Sequence, residues 1–400
     1  MIHDLGSSVP KARLHSRRPL RAIFTAAAVA LGLAGIGVMD AQTPGPNVNM
    51  VSGTTLPGGD PYLQRQNEPS GAVSTRNPLH LLAGANDYRT VDIPGIADNE
   101  ESNGDAWMGV FKSFDGGQTW RSTLIPGYPQ DQSAVGKASP IYGYQAGADP
   151  IVRAGTNGLF YYAGLAFNRG SKGLGVLFVT RFIDNNNAPG GDPIAFLDTR
   201  ALAKGTAGQF VDKPTMAVDI PRAGAGTCTI SSQASGAPAA QTFAAGTVYV
   251  AYVDFSGGTK NPVSKLMLMR STDCGVSWSN PTKLSERVHV NQGATIAIDP
   301  TSGAVYVGWR EFADSNSADS MLVVKSTDGG KKFTTPQVVA RATAAYAPMD
   351  QGGTATTFRT NAYPTMAVDD TGRVYMAWAE RGWGPRVNLR KRFSSAVPGG

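Results

Sequence analysis

A short motif of the form S-x-D-x-G-x-x-aromatic recurs along this 400-residue chain and constrains its fold more than any other feature. Three close copies and one degraded copy occur, at Ser113–Trp120, Ser271–Trp278, Ser326–Phe333 and Phe182–Asn186. Their aspartates, Asp115, Asp184, Asp273 and Asp328, are 69, 89 and 55 residues apart in chain order. Recurrence at a spacing near 70 residues predicts a series of similar structural units that stack on one another.

Two further patterns precede the motif and are typical of strands. One is a run rich in Val, Tyr, Ala and Trp, seen at Gly246–Phe255, Gly303–Phe312 and Gly372–Arg381. The other is Pro214–Asp219, which returns almost unchanged as Pro364–Asp369. Short β-branched and aromatic runs bounded by Gly, Pro, Asn and Asp indicate strands. Each unit therefore reads as strand A, strand B, a long loop, strand C, the Asp-motif turn and strand D.

Four antiparallel strands per unit predict an all-β fold, a β-propeller with four-stranded blades. The composition agrees, because 48 Gly, 26 Pro and only 16 % charged residues exclude a coiled coil, and 41 % apolar residues exclude disorder. Strand A can be placed five times, so five blades are countable, but the fifth ends after a third strand at Val387–Phe393. Either Val48–Thr54 supplies the missing strand, or the chain is a fragment of a six-bladed propeller that is incomplete at its C-terminus.

Residues 1–41 have the pattern of an export signal. Basic residues up to Arg21 precede the apolar stretch Ala22–Met39, and Ala41 precedes a polar residue. Cleavage would leave residues 42–400 as the propeller domain of a secreted or periplasmic protein without a membrane span; the alternative is an uncleaved anchor. Ser16–Leu20 also resembles a twin-arginine export signal. The net charge of +6 falls to +3 on cleavage, and no basic stripe indicates a nucleic-acid partner.

The repeated motif is that of the bacterial neuraminidase repeat, or Asp-box, and residues 60–395 resemble the sialidase-like β-propeller superfamily. The box itself has a structural explanation. A carboxylate in the turn between strands C and D can accept backbone N–H bonds, so Asp115, Asp184, Asp273 and Asp328 are expected to hold the turns. The terminal aromatic residues Trp120, Trp278 and Phe333 are expected to pack between blades.

Candidate functional residues lie at the ends of the B strands. Alternating strand direction brings these ends to one face, together with the B–C loops and the D–A connections. Four carboxylates reach it and could perform general acid/base work on a glycosidic bond: Asp87, Asp254, Glu311 and Glu380. Four flanking arginines could grip a carboxylated ligand: Arg89, Arg169, Arg310 and Arg381. The alternative is a structural role for the carboxylates within each blade, and surface salt bridges for the arginines.

The resemblance implies an arginine triad, an Asp acid/base and a Tyr nucleophile activated by Glu. Glu380-Arg381 is similar to the strand-B end of a sialidase's first blade. The Arg-Ile-Pro that opens that blade in sialidases is absent. The Pro-containing strand starts instead read Asn67-Glu68-Pro69, Ala148-Asp149-Pro150, Asp212-Lys213-Pro214 and Ala362-Tyr363-Pro364. No feature singles out a nucleophile among Tyr142, Tyr144, Tyr346 and Tyr363.

The two cysteines, Cys228 and Cys274, fall on the same edge of the third blade and are predicted to form a disulfide, as an exported protein permits. Only His80 and His289 remain after cleavage, and no metal-binding spacing occurs, so neither a metal nor another cofactor is expected.

Two functions follow as hypotheses. The first is a monomeric, exported exo-glycosidase that hydrolyses acidic sugars such as sialic acid from a glycan or glycoprotein. The alternative is a non-catalytic carbohydrate- or protein-binding adhesion module. A third reading, endo-acting hydrolysis of a polysaccharide by paired aspartates, is less well supported by a single ring of carboxylates.

Overall fold

The computed structural model describes eleven stretches of the chain: residues 45–51, 66–88, 105–169, 174–188, 191–206, 209–231, 240–256, 263–286, 289–312, 319–341 and 363–379. The chain divides into two compact units, Leu5–Val48 and a larger one made of Met1–Asp4 and Asn49–Gly400. Of the smaller unit, only residues 45–48 belong to the described stretches, and they contain no helix or strand. The prediction of a signal peptide over residues 1–41 concerns residues outside these stretches.

The first two blades are four-stranded antiparallel sheets in chain order. The first consists of β1 (Gln66–Val73), β2 (Leu81–Asp87), β3 (Trp107–Ser113) and β4 (Arg121–Leu124). The second consists of β5 (Ala146–Ala154), β6 (Leu159–Phe167), β7 (Gly175–Asp184) and β8 (Ile194–Lys204). The short helix α1 (Ala134–Lys137) lies in the connection between these blades, and a 3-10 turn (Thr156–Gly158) joins β5 to β6.

Two more blades follow the same plan. The third carries an inserted hairpin and is made of β9 (Gln209–Val218), β10 (Thr227–Ile230), β11 (Gln241–Ala244), β12 (Val248–Ser256), β13 (Val263–Ser271) and β14 (Thr282–Lys283). In that blade β9, β12, β13 and β14 pair in order, and β10 pairs with β11. The fourth is made of β15 (Asn291–Ile298), β16 (Val305–Glu311), β17 (Ser320–Ser326) and β18 (Gln337–Arg341). The last described strands, β19 (Thr365–Val368) and β20 (Val374–Ala377), pair with each other.

The first strands of successive blades are neighbours: β1 lies against β5, β5 against β9, β9 against β15 and β15 against β19. Four-stranded antiparallel sheets arranged around their first strands are the architecture of a β-propeller, so the predicted fold class is confirmed. The number of blades stays a prediction, because the expected strand Val387–Phe393 lies outside the described residues. The stretch 45–51 contains no strand, and Met50 and Val51 pack against Ala83 and Phe111 of the first blade instead.

The hydrophobic core lies between neighbouring blades. Trp107 and Met108 of the first blade pack with Tyr162 and Phe178 of the second. Similar apolar clusters join the second blade to the third and the third to the fourth. Burial of each large apolar side chain contributes roughly 1.5–3 kcal/mol. Because each cluster forms only between sequential units, the order of the repeats along the chain sets the order of the blades.

The Asp motifs form the turns between the third and fourth strands. Asp115 accepts hydrogen bonds from Thr119 Oγ1 (2.6 Å), Thr119 N (2.9 Å) and Ser113 Oγ (2.9 Å). These bonds, above all those from Thr119, lower the pKa of Asp115 to about 2. Asp273 and Asp328 are held in the same manner by the serine two positions before them. The turn geometry is therefore encoded locally, by a carboxylate with its own neighbouring donors.

The degraded copy behaves differently. Asp184 is fully buried and accepts a hydrogen bond from Ser74 Oγ, while His80 Nδ1 lies 2.8 Å from its Oδ1. Ser74 and His80 belong to the first blade, so this aspartate links two blades as well as bonding to the Asn186 backbone N–H of its own turn (2.7 Å).

The cysteines form a disulfide. Cys228 lies in β10, and Cys274 lies in the turn after β13. Their Cα atoms are 6.0 Å apart. The bond fastens the inserted hairpin to the Asp-motif turn of its own blade.

Candidate functional site

A β-bulge interrupts the first strand of each complete blade near its start. One residue in each bulge takes a left-handed backbone conformation: Glu68 (φ 52°), Asp149 (φ 60°), Lys213 (φ 45°) and Gly293 (φ 70°). In the first three blades the next residue is a proline, which has no N–H to give to the strand pairing. The extra residue of a bulge re-aims side chains at the edge of a sheet. Four innermost strands therefore change direction at the same level of the propeller.

The bulges bring together four side chains, Glu68, Asp149, Asp212 and Lys213, which we call the axial cluster. Lys213 Nζ lies 3.1 Å from Glu68 Oε2 and 3.6 Å from Asp149 Oδ1. The Asp149 carboxyl faces those of Glu68 and Asp212, and its single proton can be shared with either of them. Glu68 belongs to the first blade and Lys213 to the third, so their contact joins two blades that are not neighbours in the ring. Such contact places the cluster at the central axis.

The environment separates the proton affinities of these carboxyls. Burial raises the pKa of Asp149 to about 7; Lys213 opposes this shift, and Glu68 and Asp212 reinforce it. Burial would also raise the pKa of Glu68, but the hydrogen bond from Asp149 and the charge of Lys213 outweigh it and lower that pKa. Burial raises the pKa of Asp212, although the Lys213 backbone N–H and side chain oppose it. At pH values below about 7 the cluster therefore holds a proton on Asp149 beside Glu68, whose pKa is lowered.

Amide and phenol groups surround the cluster. The Asp149 N–H donates to Asn86 Oδ1 (2.9 Å), and Asn86 Nδ2 donates to Asn67 Oδ1 (2.8 Å). On the other side, Gln292 Nε2 donates to Asp212 Oδ2 (3.0 Å). Tyr363 Oη donates to Gln292 Oε1 (2.9 Å). The side chains bonded to the cluster, directly or through one partner, thus come from the first, fourth and last described blades.

The Tyr363 ring lies against Gly293. A Cβ at position 293 would overlap the Cβ, Cγ and Cδ1 atoms of the Tyr363 side chain. Glycine at the fourth bulge therefore leaves the space that the Tyr363 ring fills beside the cluster.

The carboxylates expected at the B-strand ends stand one strand further from the axis. Asp87 is fully buried and accepts from Gln66 Nε2 (3.2 Å), and Glu311 is also buried. Asp254 is partly exposed; burial raises its pKa, and Lys265 on the paired strand opposes the shift. Glu380 lies outside the described residues. A catalytic role for these four residues stays a prediction, and the axial cluster is a separate group on the same face.

Two of the four candidate arginines belong to the described stretches. Arg310 is buried, forms an ion pair with Asp319 and lies over the Phe312 ring at 4.8 Å. Arg169 is exposed and binds Asp105 through two bonds of 2.7 and 2.9 Å. Both guanidinium groups are therefore engaged with carboxylates of the protein. Arg89 and Arg381 lie outside the described residues.

The axial cluster was missed in the sequence, although a signal for it was present. The strand starts Asn67-Glu68-Pro69, Ala148-Asp149-Pro150 and Asp212-Lys213-Pro214 were noted only because they lack an arginine. A charged residue before proline at the start of three innermost strands is itself a recurring pattern. Its meaning depends on the bulge, which places that residue at the axis.

Neither a metal centre nor a membrane helix is found within the described part of the chain. No group of three or more His, Cys, Asp or Glu side chains there is arranged to hold a metal ion. No helix there is long and apolar enough to cross a membrane.

Comparisons with known proteins find likeness in structure only. No protein-family model matches the sequence, and no curated protein sequence matches it. Similar solved structures include a GH93 α-L-arabinofuranosidase of Fusarium graminearum (13 % identity, TM-score 0.45, covering 78 % of this chain and 74 % of that one). Another is an α-L-arabinanase of Penicillium chrysogenum (10 % identity, TM-score 0.43, covering 77 % and 74 %).

An intramolecular trans-sialidase from Ruminococcus gnavus is also similar (12 % identity, TM-score 0.31, covering 70 % of this chain and 71 % of that one). Likeness this remote adds nothing about activity. The fold follows from the sheets described above.

Proposed function

We propose that this protein is a glycoside hydrolase whose reaction takes place at the axial cluster. The observation that carries the proposal is the pairing of Asp149, whose pKa is raised to about 7, with Glu68, whose pKa is lowered. Two neighbouring carboxyl groups with separated pKa values are the pattern of a general acid beside a carboxylate that stays ionised. Glycosidic bonds are cleaved by such pairs.

In the proposed reaction, Asp149 donates its proton to the glycosidic oxygen as the C–O bond to the anomeric carbon breaks. The ionised Glu68 attacks or stabilises the anomeric carbon from the opposite side. Water then attacks that carbon, displaces the Glu68 carboxylate from it and gives its proton to Asp149. A substrate sugar must separate the two carboxyls to the spacing of about 5–5.5 Å that retaining enzymes use.

The charge of the cluster favours a neutral sugar as the substrate. Three carboxyls face the single cation of Lys213, so the cluster disfavours an anionic ligand. Arg169 and Arg310, which were expected to bind an acidic sugar, are paired with Asp105 and Asp319. An acidic sugar such as sialic acid, the expectation from the sequence, is therefore the second arm of the test.

The test is hydrolysis of a panel of aryl glycosides carrying neutral pentoses and hexoses, together with a sialic acid conjugate. Asp149→Asn and Glu68→Gln are expected to lower kcat/KM on the active substrate by at least about 100-fold. Asp254→Asn is the matched control, since it lies on the same face outside the cluster and should leave turnover unchanged. Turnover that survives both axial substitutions would overturn the proposal, and loss in Asp254→Asn alone would favour the B-strand carboxylates.

A non-catalytic binding propeller is the second candidate. It is supported by the contacts of Lys213 with Glu68 and Asp149, which give both carboxyls a polar partner without a ligand. A glycan array would distinguish the two functions. Glycan capture that Asp149→Asn abolishes, with no hydrolysis of any captured glycan by the unsubstituted protein, would assign the axial cluster to binding.

We also propose that the protein works outside the cytoplasm, on the support of the export pattern in residues 1–41. We propose separately that it is a monomer. Mass spectrometry of the N-terminus of protein recovered from the periplasm and the medium tests cleavage. Size-exclusion chromatography with light scattering tests the monomer. An intact N-terminus in the membrane fraction would favour the uncleaved anchor.

A further inference from the structure

Gln292 stands between the axial cluster and the last described blade. Its Nε2 donates to Asp212 Oδ2 (3.0 Å), and its Oε1 accepts from the Tyr363 hydroxyl (2.9 Å). Both partners are distant in sequence, on the third blade and immediately before β19. A single amide thus joins three blades at the axis.

The direction of these bonds has a consequence for Asp212. While the Tyr363 O–H donates to Oε1, the amide turns its NH₂ towards Asp212, and rotation of the amide would place Oε1 against the carboxylate. A donor aimed at a carboxylate favours its ionised form. Asp212 is then an acceptor, and its hydrogen bond with Asp149 must use a proton carried by Asp149.

We propose that Gln292 and Tyr363 are positioning residues that hold Asp212 as an acceptor and thereby keep the shared proton of the axial cluster on Asp149. Neither residue touches the reacting atoms in this scheme; both act through Asp212. The inference rests on the proposed function for its purpose, because a general acid needs its proton on a defined carboxyl. Its geometry stands independently of any reaction.

Charged and polar groups from three neighbouring strands lie around Asp149. These are Glu68 from β1, Asn86 from β2, and Asp212 and Lys213 from β9. Of these, Glu68 and Asp212 can both accept the same proton, and Asp212 is the one bonded to the amide of Gln292. Removal of that amide should therefore move the proton from Asp149 towards Asp212.

The test is a carboxyl ¹³C NMR titration of the purified protein labelled at its aspartates, with the Asp149 and Asp212 signals assigned from Asp149→Asn and Asp212→Asn. In the unsubstituted protein we expect Asp149 to lose its proton at higher pH than Asp212. In Gln292→Leu we expect this order to reverse. Tyr363→Phe keeps the amide but frees it to rotate, so the two titrations should move towards each other.

Gln66→Leu is the matched control. It removes the same amide from the first strand of another blade, where Gln66 donates to Asp87 outside the cluster, and should leave both titrations in place. Near-UV circular dichroism checks that each variant is folded. If Gln292→Leu does not fold, the titrations of Tyr363→Phe test the inference. Unchanged titration of Asp149 and Asp212 in the folded variants would overturn the inference.

The outcome also separates the inference from the proposed function. If the titration order reverses but the unsubstituted protein hydrolyses no glycoside, the positioning role is supported and the proposed hydrolase function is wrong. If the protein is an active hydrolase, Gln292→Leu should lower kcat/KM at pH 7 by at least about tenfold and move the basic limb of the pH profile to lower pH. If the protein hydrolyses a glycoside, and substitution of Gln292 or Tyr363 changes neither its activity nor the two titrations, the proposed function stands and the positioning role is wrong.

Discussion

Lys213 Nζ lies 3.1 Å from Glu68 Oε2, which joins residues 145 positions apart in the sequence and two blades apart in the propeller. Burial alone would lower the pKa of this lysine, but Asp149, Glu68 and Asp212 raise it, so Lys213 stays charged. The single ammonium is thus placed among three carboxyls that compete for protons. This relationship gives the axial cluster its charge balance.

Substitution of Lys213 should shift the pH dependence of hydrolysis. In the unsubstituted protein kcat/KM should fall as pH rises through about 7, where Asp149 loses its proton. Lys213→Met removes a positive charge that favours the ionised forms, so the pKa values of Asp149 and Glu68 should both rise and both limbs should move to higher pH.

The measurement is a pH profile of kcat/KM between pH 4 and 9 on an aryl glycoside substrate. Lys265→Met, beside Asp254 on the third blade, is the control and should leave the profile in place. A basic limb that stays near pH 7 in Lys213→Met would contradict the prediction.

Asp149 should make the free energy of unfolding decrease as pH rises. Its folded-state pKa, about 7, lies above the value near 3.8 of an unperturbed aspartate, so the folded state binds a proton more tightly than the unfolded state between these values. Stability is therefore lost as pH rises from about 4 to about 7, by on the order of 2–4 kcal/mol. Asp149→Asn cannot ionise and escapes this loss.

The difference in Tm between Asp149→Asn and the unsubstituted protein should grow in favour of the variant from pH 4 to pH 8. Differential scanning calorimetry at several pH values measures it. A Tm difference that does not change with pH would show that Asp149 has no raised pKa in the folded protein.

We expect Arg310 to stabilise the fold rather than to bind a ligand. Its side chain is 2 % exposed and is paired with Asp319, which is 7 % exposed. Arg310→Met removes this partner from a buried carboxylate, and breaking such a pair costs about 3–5 kcal/mol. The double variant Arg310→Met, Asp319→Asn should recover part of this loss. Urea unfolding tests the prediction, and a single variant as stable as the unsubstituted protein would contradict it.

The disulfide should stabilise the third blade. Cys228 and Cys274 are separated by 46 residues, and closing a loop of that length constrains the unfolded chain by about 3–4 kcal/mol. Cys228→Ser and Cys274→Ser should each lower the free energy of unfolding by a similar amount. Dithiothreitol should destabilise the unsubstituted protein and leave both variants unaffected. A variant that unfolds at the same urea concentration as the oxidised protein would refute the expectation.

Local patterns in the sequence were enough to predict the strands and their grouping. The run Gly246–Phe255 and its relatives form the second strand of a blade because β-branched and aromatic residues suit a sheet buried on both faces. The turn at Asp115 needs only donors within four residues. Features that depend on near neighbours in the chain can be inferred from the chain alone.

The sequence by itself therefore determined an all-β protein of repeated four-stranded units. The tertiary structure decided which polar residues meet. Glu68, Asp149 and Lys213 stand 64 or more positions apart, and only the circular arrangement of first strands, each bulged at the same level, brings them to the axis. Arg310 reads as a ligand-binding residue in the sequence, whereas the burial of its side chain against Asp319 is settled by packing between strands. Repeated sequence patterns predict the structural unit, whereas contacts between charged residues of different units depend on the long-range geometry of the ring.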